Sequence, residues 1–379
     1  MTARLHLRDR AVHIGRALLL AAVLAAGLVS LLALVLALGG YDVPRALGAL
    51  WLGSFGSRDA LLSATLVRAI PLVLTGLAVA LAFRAGVWNI GAEGQLLAGA
   101  AVYTMFVLGP ASGLGVVALL AGLGLAAAAG AAWAGIAAAL RERFGVLEVI
   151  STIMLNFVAL HLISWLVRGP LQEPTRVYPQ SSSIADGVRL IRLLPGERLH
   201  AGLVIAVLAA AAMWWVLRHT AVGFRVRAVG ASPSAARSAG MIDVPRVTAG
   251  AFLVSGALAG IAGASEVAGV TFALYENISP GYGFTAIAVA ILARLDPRLV
   301  IVTGVLFGAL ESGALAMQRD AGVPSVLVSV LEALLILGVL VAERVRGGRW
   351  LGTGGRSSPI AAPPAAPATP ATPSSAGAA

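Results

Sequence analysis

Apolar residues form long blocks along this chain, and short polar segments separate them. The first block runs 22 residues from Ala17 to Leu38, which is too long for the ~7–15-residue core of a signal peptide. Further blocks follow at roughly 61–82, 89–108, 113–140, 149–167, 199–217, 248–270, 284–294, 299–317 and 325–342. A straight membrane-spanning helix needs about 20 apolar residues. The pattern therefore predicts an all-α polytopic membrane protein with about ten transmembrane helices.

The block at 284–294 is too short for a straight crossing. Two structures are compatible with a block of this length. Either the helix extends back through 278–283, or the block is a broken helix inside the bundle, where irregular backbone is tolerated when protein covers it. The predicted fold class therefore allows broken or re-entrant helices.

The arginines predict which side of the membrane each loop faces. With ten crossings and the N-terminus inside, the inner segments hold 18 arginines and the outer segments hold eight, while Arg68 lies within a span. This bias agrees with the positive-inside rule and predicts that both termini are cytoplasmic. Five of the eight outer arginines lie in one loop, 168–198, so the arginine distribution supports the predicted orientation least at this loop.

The chain then divides into three predicted parts. Residues 1–16 form a cytoplasmic N-terminal segment, and 17–345 form the transmembrane domain with an inner loop at 218–247 and an outer loop at 168–198. Residues 346–379 are rich in Pro and Ala, cannot bury apolar area, and are expected to be a disordered cytoplasmic tail.

Composition excludes several classes of function. The chain is 59% hydrophobic and 12% charged, against about 25% charged in soluble domains, with a mean hydropathy of +0.92. All 27 basic residues are arginine, so the lysine of a P-loop ATPase is missing, and the absence of cysteine excludes thiol chemistry. The net charge of +10 indicates cytoplasmic loops and membrane lipid, with no nucleic-acid partner. The five histidines form no cluster, so we predict neither a metal site nor catalytic residues.

A polar insertion lies at the start of the third block, between Arg84 and Gln95. Asn89, Glu93 and Gln95 occupy positions that lipid would penalise. One explanation is structural: Asn89 caps the next helix, and Glu93 lies in its first turn, where the helix dipole favours an anion. The other is that these residues line a pore.

A second polar face lies on the fifth predicted span. Glu148, Thr152 and Asn156 are spaced to share one helix face, which either lines a path or hydrogen-bonds a neighbouring helix. Small residues on two other spans, at 122–130 and 256–264, indicate close helix packing, within one subunit or between two.

The inner loop predicts a short helix from Pro233 to Ala239. Ser232 is the expected N-cap, Pro233 occupies the first helical position, and Gly240 is the expected stop. Two turns are marginal alone in water, so the helix must be held by packing. Either the loop is a solvated basic loop, or the helix docks on a cytoplasmic protein. In the docked case the expected charged contacts are Arg225, Arg227 and Arg237.

Four stretches of this chain resemble one family of transport proteins. The sequence RAIPLVLTGLAVALAFRAGVWNIGAEGQLLAGA at 68–100 resembles the signature of branched-chain/ribose-type ABC importer permeases, and is closest to their nucleoside and simple-sugar subgroup. The stretches at 148–174, 223–247 and 279–314 are similar to the same subgroup, and 223–247 occupies its coupling-loop position. The tail is extra, and Arg294-Leu-Asp296 replaces the expected Gly/Asn-rich turn.

The resemblance implies a permease subunit without ATPase activity and without a bound cofactor. ATP and Mg would be bound by a partner ABC ATPase with duplicated nucleotide-binding halves. A second homologous permease is expected as the partner in a heterodimer, and a substrate-binding lipoprotein or periplasmic protein would deliver the ligand. The helix after Ser232 would insert into the ATPase. The expected location is a bacterial cytoplasmic membrane.

The expected function is therefore ATP-driven import of a purine or pyrimidine nucleoside. A nucleoside needs hydrogen-bonding groups together with an aromatic or apolar slot. The candidate path residues are Trp88, Asn89, Glu93, Gln95, Asn156 and Phe284. A simple-sugar importer of the same architecture is the nearest alternative. An ion-coupled secondary transporter, using the embedded glutamates as a proton relay, is the alternative from another class.

Overall fold

The computed structural model describes residues 26–324 except 28, 110 and 239–241, together with residues 326, 327, 330 and 333. The predicted N-terminal segment 1–16, most of the tenth predicted span and the tail lie outside these residues. The described chain is all α-helical apart from two isolated β-bridges, as predicted. Its helices are α1 Val29–Leu38, α2 Val43–Ser54, α3 Leu66–Arg84, α4 Ala92–Leu108, α5 Val116–Phe144, α6 Glu148–Arg168, α7 Gly202–His219, α8 Ala221–Ala231, α9 Pro233–Ser238, α10 Val244–Glu266, α11 Tyr282–Leu292 and α12 Pro297–Ala321.

Six helical segments among the described residues are long and apolar enough to cross a membrane. They are Ala60–Arg84, Val116–Phe144, Glu148–Arg168, Gly202–His219, Val244–Thr271 and Pro297–Ala321. The first and fifth of these include short π-helical stretches that extend α3 and α10. The blocks at 89–108 and 284–294, both counted among the ten candidate crossings, form the shorter helices α4, with 17 residues, and α11, with 11.

The bundle has two chemically different ends. We call the end that holds α8, α9 and the 294–296 turn the basic end, and the end that holds segments 169–201 and 272–281 the long-loop end. The consecutive helices α4 and α5 run in opposite directions, because Gly122 of α5 faces Tyr103 of α4, whereas Trp133 lies beside Gly94. The pair Arg168–Glu276 (2.8 Å) ties α6 to segment 272–281 at the long-loop end.

Three of the described helices start at an aspartate with a proline one or two residues later. The carboxylate accepts a backbone N–H of the first turn, and proline fits where no helical N–H partner is needed. The bonds run from Arg45 N to Asp42 (3.0 Å), from Arg246 N to Asp243 (3.2 Å) and from Arg298 N to Asp296 (2.9 Å). These caps set the starting points of α2, α10 and α12.

Helix α4 begins inside the bundle. After α3 ends at Arg84, the chain turns at Gly86 (φ +76°) and runs back along the helix. Asn89 thereby lies beside Ala78, since Ser255 Oγ donates to the Ala78 carbonyl (2.7 Å) and accepts from Asn89 Nδ2 (2.8 Å). From there α4 runs 17 residues, about 25 Å, toward the long-loop end. It covers less than the ~30 Å core of a bilayer.

Helix α11 repeats this arrangement in the opposite sense. Segment 272–281 returns into the bundle from the end of α10, and Gly281 (φ +104°) precedes the first residue of α11. The helix has 11 residues, about 16 Å, and runs toward the basic end. Of the two structures that the short block allowed, the broken helix is the one found. Two re-entrant segments, each followed by a partial helix, thus enter the bundle from opposite ends.

The two small-residue faces pack against each other within this chain. A Cβ at Gly130 of α5 would overlap the Gly256 carbonyl of α10, and one at Gly260 would overlap the Ala126 carbonyl. Gly99 of α4 approaches Gly260 equally closely. Glycine is needed here because only hydrogen fits between backbones at this distance. The small residues thus serve packing inside one subunit, the first of the two predicted alternatives.

The 294–296 turn adopts a left-handed backbone. Arg294 (φ 53°) and Leu295 (φ 57°) both have positive φ, a conformation that favours glycine or asparagine. The resemblance stated above leads us to expect a Gly/Asn-rich turn here, which would suit this conformation, whereas this chain has arginine and leucine at the two positions. The turn leads directly into the Asp296 cap of α12.

We predict that Gly130→Ala destabilises the protein. A methyl group there meets backbone, and overpacking of this kind costs about 1–3 kcal/mol. Thermal unfolding of the purified protein in detergent should show a melting temperature several degrees lower. Gly124→Ala on the same helix is the control, because a Cβ there meets nothing within 4 Å and alanine favours helix. Equal melting temperatures for the two variants would contradict the close packing.

Candidate functional site

The N-termini of the two partial helices meet at Glu93. Its Oε2 accepts the N–H of Gly283 in the first turn of α11 (2.7 Å), and the Ser279 hydroxyl also bonds the carboxylate. Glu93 itself lies in the first turn of α4 and is only 2% exposed. A Cβ at Gly283 would overlap the backbone of Glu93, so glycine permits the approach. One carboxylate therefore faces the positive ends of two helix dipoles.

A second buried network fixes the re-entrant segment before α4. Asn89 Nδ2 donates to Gln95 Oε1 (2.9 Å), and Gln95 Nε2 donates back to Asn89 Oδ1 (3.0 Å). Asn89 Oδ1 also accepts the Gly91 N–H (2.9 Å). The prediction that Asn89 caps α4 is wrong, because the N-cap residue is Gly91. Asn89 lies two residues before this N-cap and bonds the loop rather than the first helical N–H groups.

Asn156 of α6 holds the same segment from the other side. Its Oδ1 accepts the Gly94 N–H (2.8 Å), and its Nδ2 donates to the Ile90 carbonyl (2.9 Å). On the same helix, Glu148 pairs with Arg141 of α5 (3.1 Å). This face of α6 therefore bonds neighbouring segments.

The structure brings four of the six predicted path residues together. Asn89, Glu93, Gln95 and Asn156 are all at most 2% exposed and are hydrogen-bonded within the protein. The other two are exposed: Trp88 is 53% exposed and contacts the Phe83 ring, and Phe284 is 45% exposed. That these six side chains contact the substrate stays a prediction.

A polar cavity of about 560 Å³ opens at the long-loop end, between α3, α10, α12 and segment 272–281. Its volume is within the ~300–1,000 Å³ typical of small-molecule sites. Its lining includes Arg68, Glu266, Tyr275, Asn277, Tyr282 and Glu311. Opposite charges are present in it, since Arg68 acts electrostatically on Glu266. Such a lining suits an uncharged ligand with many hydrogen-bonding groups.

The floor of this cavity rests on the helix junction. Tyr282 lines the cavity, and the next residue, Gly283, bonds Glu93. A movement of α11 would therefore change the cavity and the junction together. The candidate path residues from the sequence do not include the cavity residues. The sequence signal that could have identified the cavity residues is the presence of charged side chains within predicted spans, at Arg68, Glu266 and Glu311.

The basic end presents two helices where the sequence predicted one. Helix α8 was missed, although Thr220 caps it by accepting the Gly223 N–H (3.1 Å). Helix α9 begins at Pro233, and Ser232 Oγ makes the predicted cap bond from Ala235 N (3.3 Å). Ala236 packs against Val229 and Val244 of this chain, which supplies the packing that a two-turn helix needs.

The predicted contact residues of this end differ in exposure. Arg225 and Arg237 are exposed, whereas Arg227 is half-buried beside Arg84. Gly240 lies outside the described residues.

Comparison with known proteins gives one consistent family. The family described as branched-chain amino acid transport system / permease component matches residues 61–340. The glucose ABC transporter permease TsgB13 of Haloferax volcanii is 41% identical over 85% of this chain and 85% of its own length. The guanosine permease NupP of Bacillus subtilis is 39% identical over 83% of this chain and 90% of its own. The nucleoside permease NupB of Lactococcus lactis is 30% identical over 82% and 86%.

Haloferax volcanii and Bacillus subtilis each contain a second, more distant match, at 31% and 30% identity. No solved structure matches the chain significantly. The family match covers well over half of the chain, and the relatives align over most of their length. The chain therefore belongs to the branched-chain amino acid transport system permease family and is a multi-pass, non-catalytic permease subunit of an ABC importer.

Proposed function

We propose that this permease forms the translocation path of a nucleoside importer. The observation that carries the proposal is the cavity at the long-loop end. Tyr275 and Tyr282 offer aromatic faces for a base, and Asn277 with the charged side chains of both signs offers partners for base and ribose. Two of the similar permeases are named for guanosine and for nucleosides, which supports the same ligand class.

A simple sugar is the second candidate substrate. TsgB13 is named for glucose and is as similar to this chain as NupP. The carboxylates, the amide and the tyrosine hydroxyls of the cavity would serve sugar hydroxyls as well. Membership in the ABC permease family argues against an ion-coupled secondary transporter.

The proposed assembly places the basic end in the cytoplasm and the long-loop end outside, in a bacterial cytoplasmic membrane. ATP and Mg would be bound by a separate ATPase with two nucleotide-binding halves, and this chain would bind no cofactor. The paired permeases of two relatives' organisms support a second, homologous permease as partner. A substrate-binding lipoprotein or periplasmic protein would deliver ligand to the long-loop end.

The proposed mechanism is alternating access. ATP binding closes the ATPase, and α8 and α9 carry that motion into the bundle through their packing against α10. Ser232 and Pro233 fix where α9 starts, and the exposed Arg225 and Arg237 would contact the ATPase. The coupling must favour one conformation over the other energetically, or it transmits nothing. In a conformation that separates α4 from α11, the side chains of Glu93 and its neighbours would become exposed to the translocation path.

The substrate can be tested with the whole transporter in proteoliposomes. We expect ATP-dependent uptake of labelled guanosine or uridine, competed by nucleosides and not by glucose. Tyr275→Ala should raise the KM about ten-fold, because base–aromatic stacking contributes about 1–3 kcal/mol. Tyr178→Ala is the control, since this tyrosine is 62% exposed at the same end and does not line the cavity. Competition by glucose alone would favour the sugar alternative.

The coupling role predicts that Arg237→Glu abolishes uptake while the protein still inserts in the membrane. Reversing the charge removes an attractive contact to the ATPase and adds a repulsive one. Gly240→Pro should have the same effect. Arg143→Glu, which alters an exposed arginine of α5 at the same end, is the control and should retain uptake. Normal uptake in the Arg237 variant would refute the coupling contact.

The predicted path residues can be separated from a purely structural role. Asn156→Ala leaves the Gly94 N–H and the Ile90 carbonyl without their partner, at about 1–3 kcal/mol each. Its melting temperature should therefore fall. Glu93→Gln keeps an oxygen for Gly283 and should retain more stability. If these residues reach the substrate, both variants also change the KM for uptake, and unchanged kinetics would contradict the path assignment.

A further inference from the structure

A second cavity lies at the basic end, between α3, α7, α8 and the start of α12. Its volume is about 220 Å³. Charged side chains and one tryptophan dominate its lining: Arg84, Arg218, Arg227, Arg298, Asp296 and Trp214. The cavity residues come from four separate elements, so the fold gathers these arginines from distant parts of the sequence.

The charges in this cavity do not balance. Its four guanidinium groups share one carboxylate, which leaves a lining charge of +3. Asp296 is already occupied, because Arg298 bonds it through Nε (3.2 Å) and Nη2 (3.0 Å), which holds the pKa of Asp296 below its usual range. Arg84 and Arg227 are close enough to repel each other. Half-buried like charges that lack a full set of counter-ions favour an anionic ligand.

The surroundings of the cavity indicate where that anion comes from. The helices α7 and α12, which both contribute to the cavity, expose apolar side chains along their length. Among them are Leu208 (62% exposed), Trp215 (54%) and Val302 (63%). Arg298 lies over the Trp214 ring (5.4 Å), and tryptophan is enriched where membrane meets water. A basic cavity joined to an apolar helix surface matches a phosphate group that carries acyl chains.

We propose that this cavity binds the phosphate of an anionic phospholipid, with the acyl chains lying along α7 and α12. Guanidinium groups suit this ligand because their planar forks bond phosphate oxygens in pairs. The ATPase is the less suitable partner. Arg225 and Arg237 are exposed on the coupling helices, whereas Arg227 is half-buried and lines the cavity. The site is separate from the cavity at the long-loop end and does not depend on which substrate is carried.

Native mass spectrometry of the purified full chain in mild detergent tests the proposal. The probes are phosphatidylglycerol, the zwitterionic phosphatidylcholine with the same chains, and inorganic phosphate. We expect phosphatidylglycerol to bind at least ten-fold more tightly than phosphatidylcholine. Arg218→Gln and Arg227→Gln should each weaken that binding about five-fold. Arg143→Gln removes a charge at the same end outside the cavity and should leave it unchanged.

Each arm of the experiment has a defined meaning. Thermal unfolding compares inorganic phosphate with the lipid. If phosphate protects the protein as well as the lipid does, the ligand of the cavity is a soluble anion and the lipid assignment is wrong. If both lipids bind equally, or the control loses as much as the cavity variants, the cavity is no lipid site. Cavity variants that keep lipid binding but fail to bind the ATPase would assign these arginines to the protein partner instead. Arg218 is exposed on the last turn of α7, so its variant is expected to fold.

Discussion

The central interaction of this structure is a carboxylate shared between two helix ends. Glu93 lies in the first turn of α4 and accepts a backbone N–H from the first turn of α11. Without it, two positively polarised helix ends would face each other in a buried, water-poor region. Gly283 leaves room for this contact, and the re-entrant segments before α4 and α11 place the two helix ends beside each other.

The remaining features follow from the depth of that junction. Because α4 and α11 start inside the bundle, each leaves space between its first residue and one end of the bundle. The polar cavity occupies the space between the start of α11 and the long-loop end. The buried amides of Asn89 and Asn156 bond the backbone between Ile90 and Gly94, and Gln95 holds the Asn89 side chain in place. Irregular backbone at this depth is stable only because these protein groups replace water.

Much of the architecture could be predicted from residue pattern alone, since hydrophobic block length identifies long helices directly. The starts of α9 and α12 follow from local caps, and the polar insertion at 84–95 was recognisable by composition. The depth at which α4 begins could not be predicted, because it depends on Ser255, 166 residues from Asn89. The cavity was missed because Arg68, Glu266 and Tyr282 are far apart in sequence, so charge at membrane depth gave no sign that they line one cavity.

The glycine contacts between α4, α5 and α10 have a mechanical consequence. Backbones that touch through Gly99, Gly130 and Gly260 cannot slide without collision, so these three helices form one stiff body. Helix α11 is bonded to that body through Gly283 and Glu93, while its middle packs against α3, where Val289 lies beside Gly76. An opening motion that separates α4 from α11 would then move α11 relative to this stiff body, and the Gly283–Glu93 bond is the contact that such a motion must break.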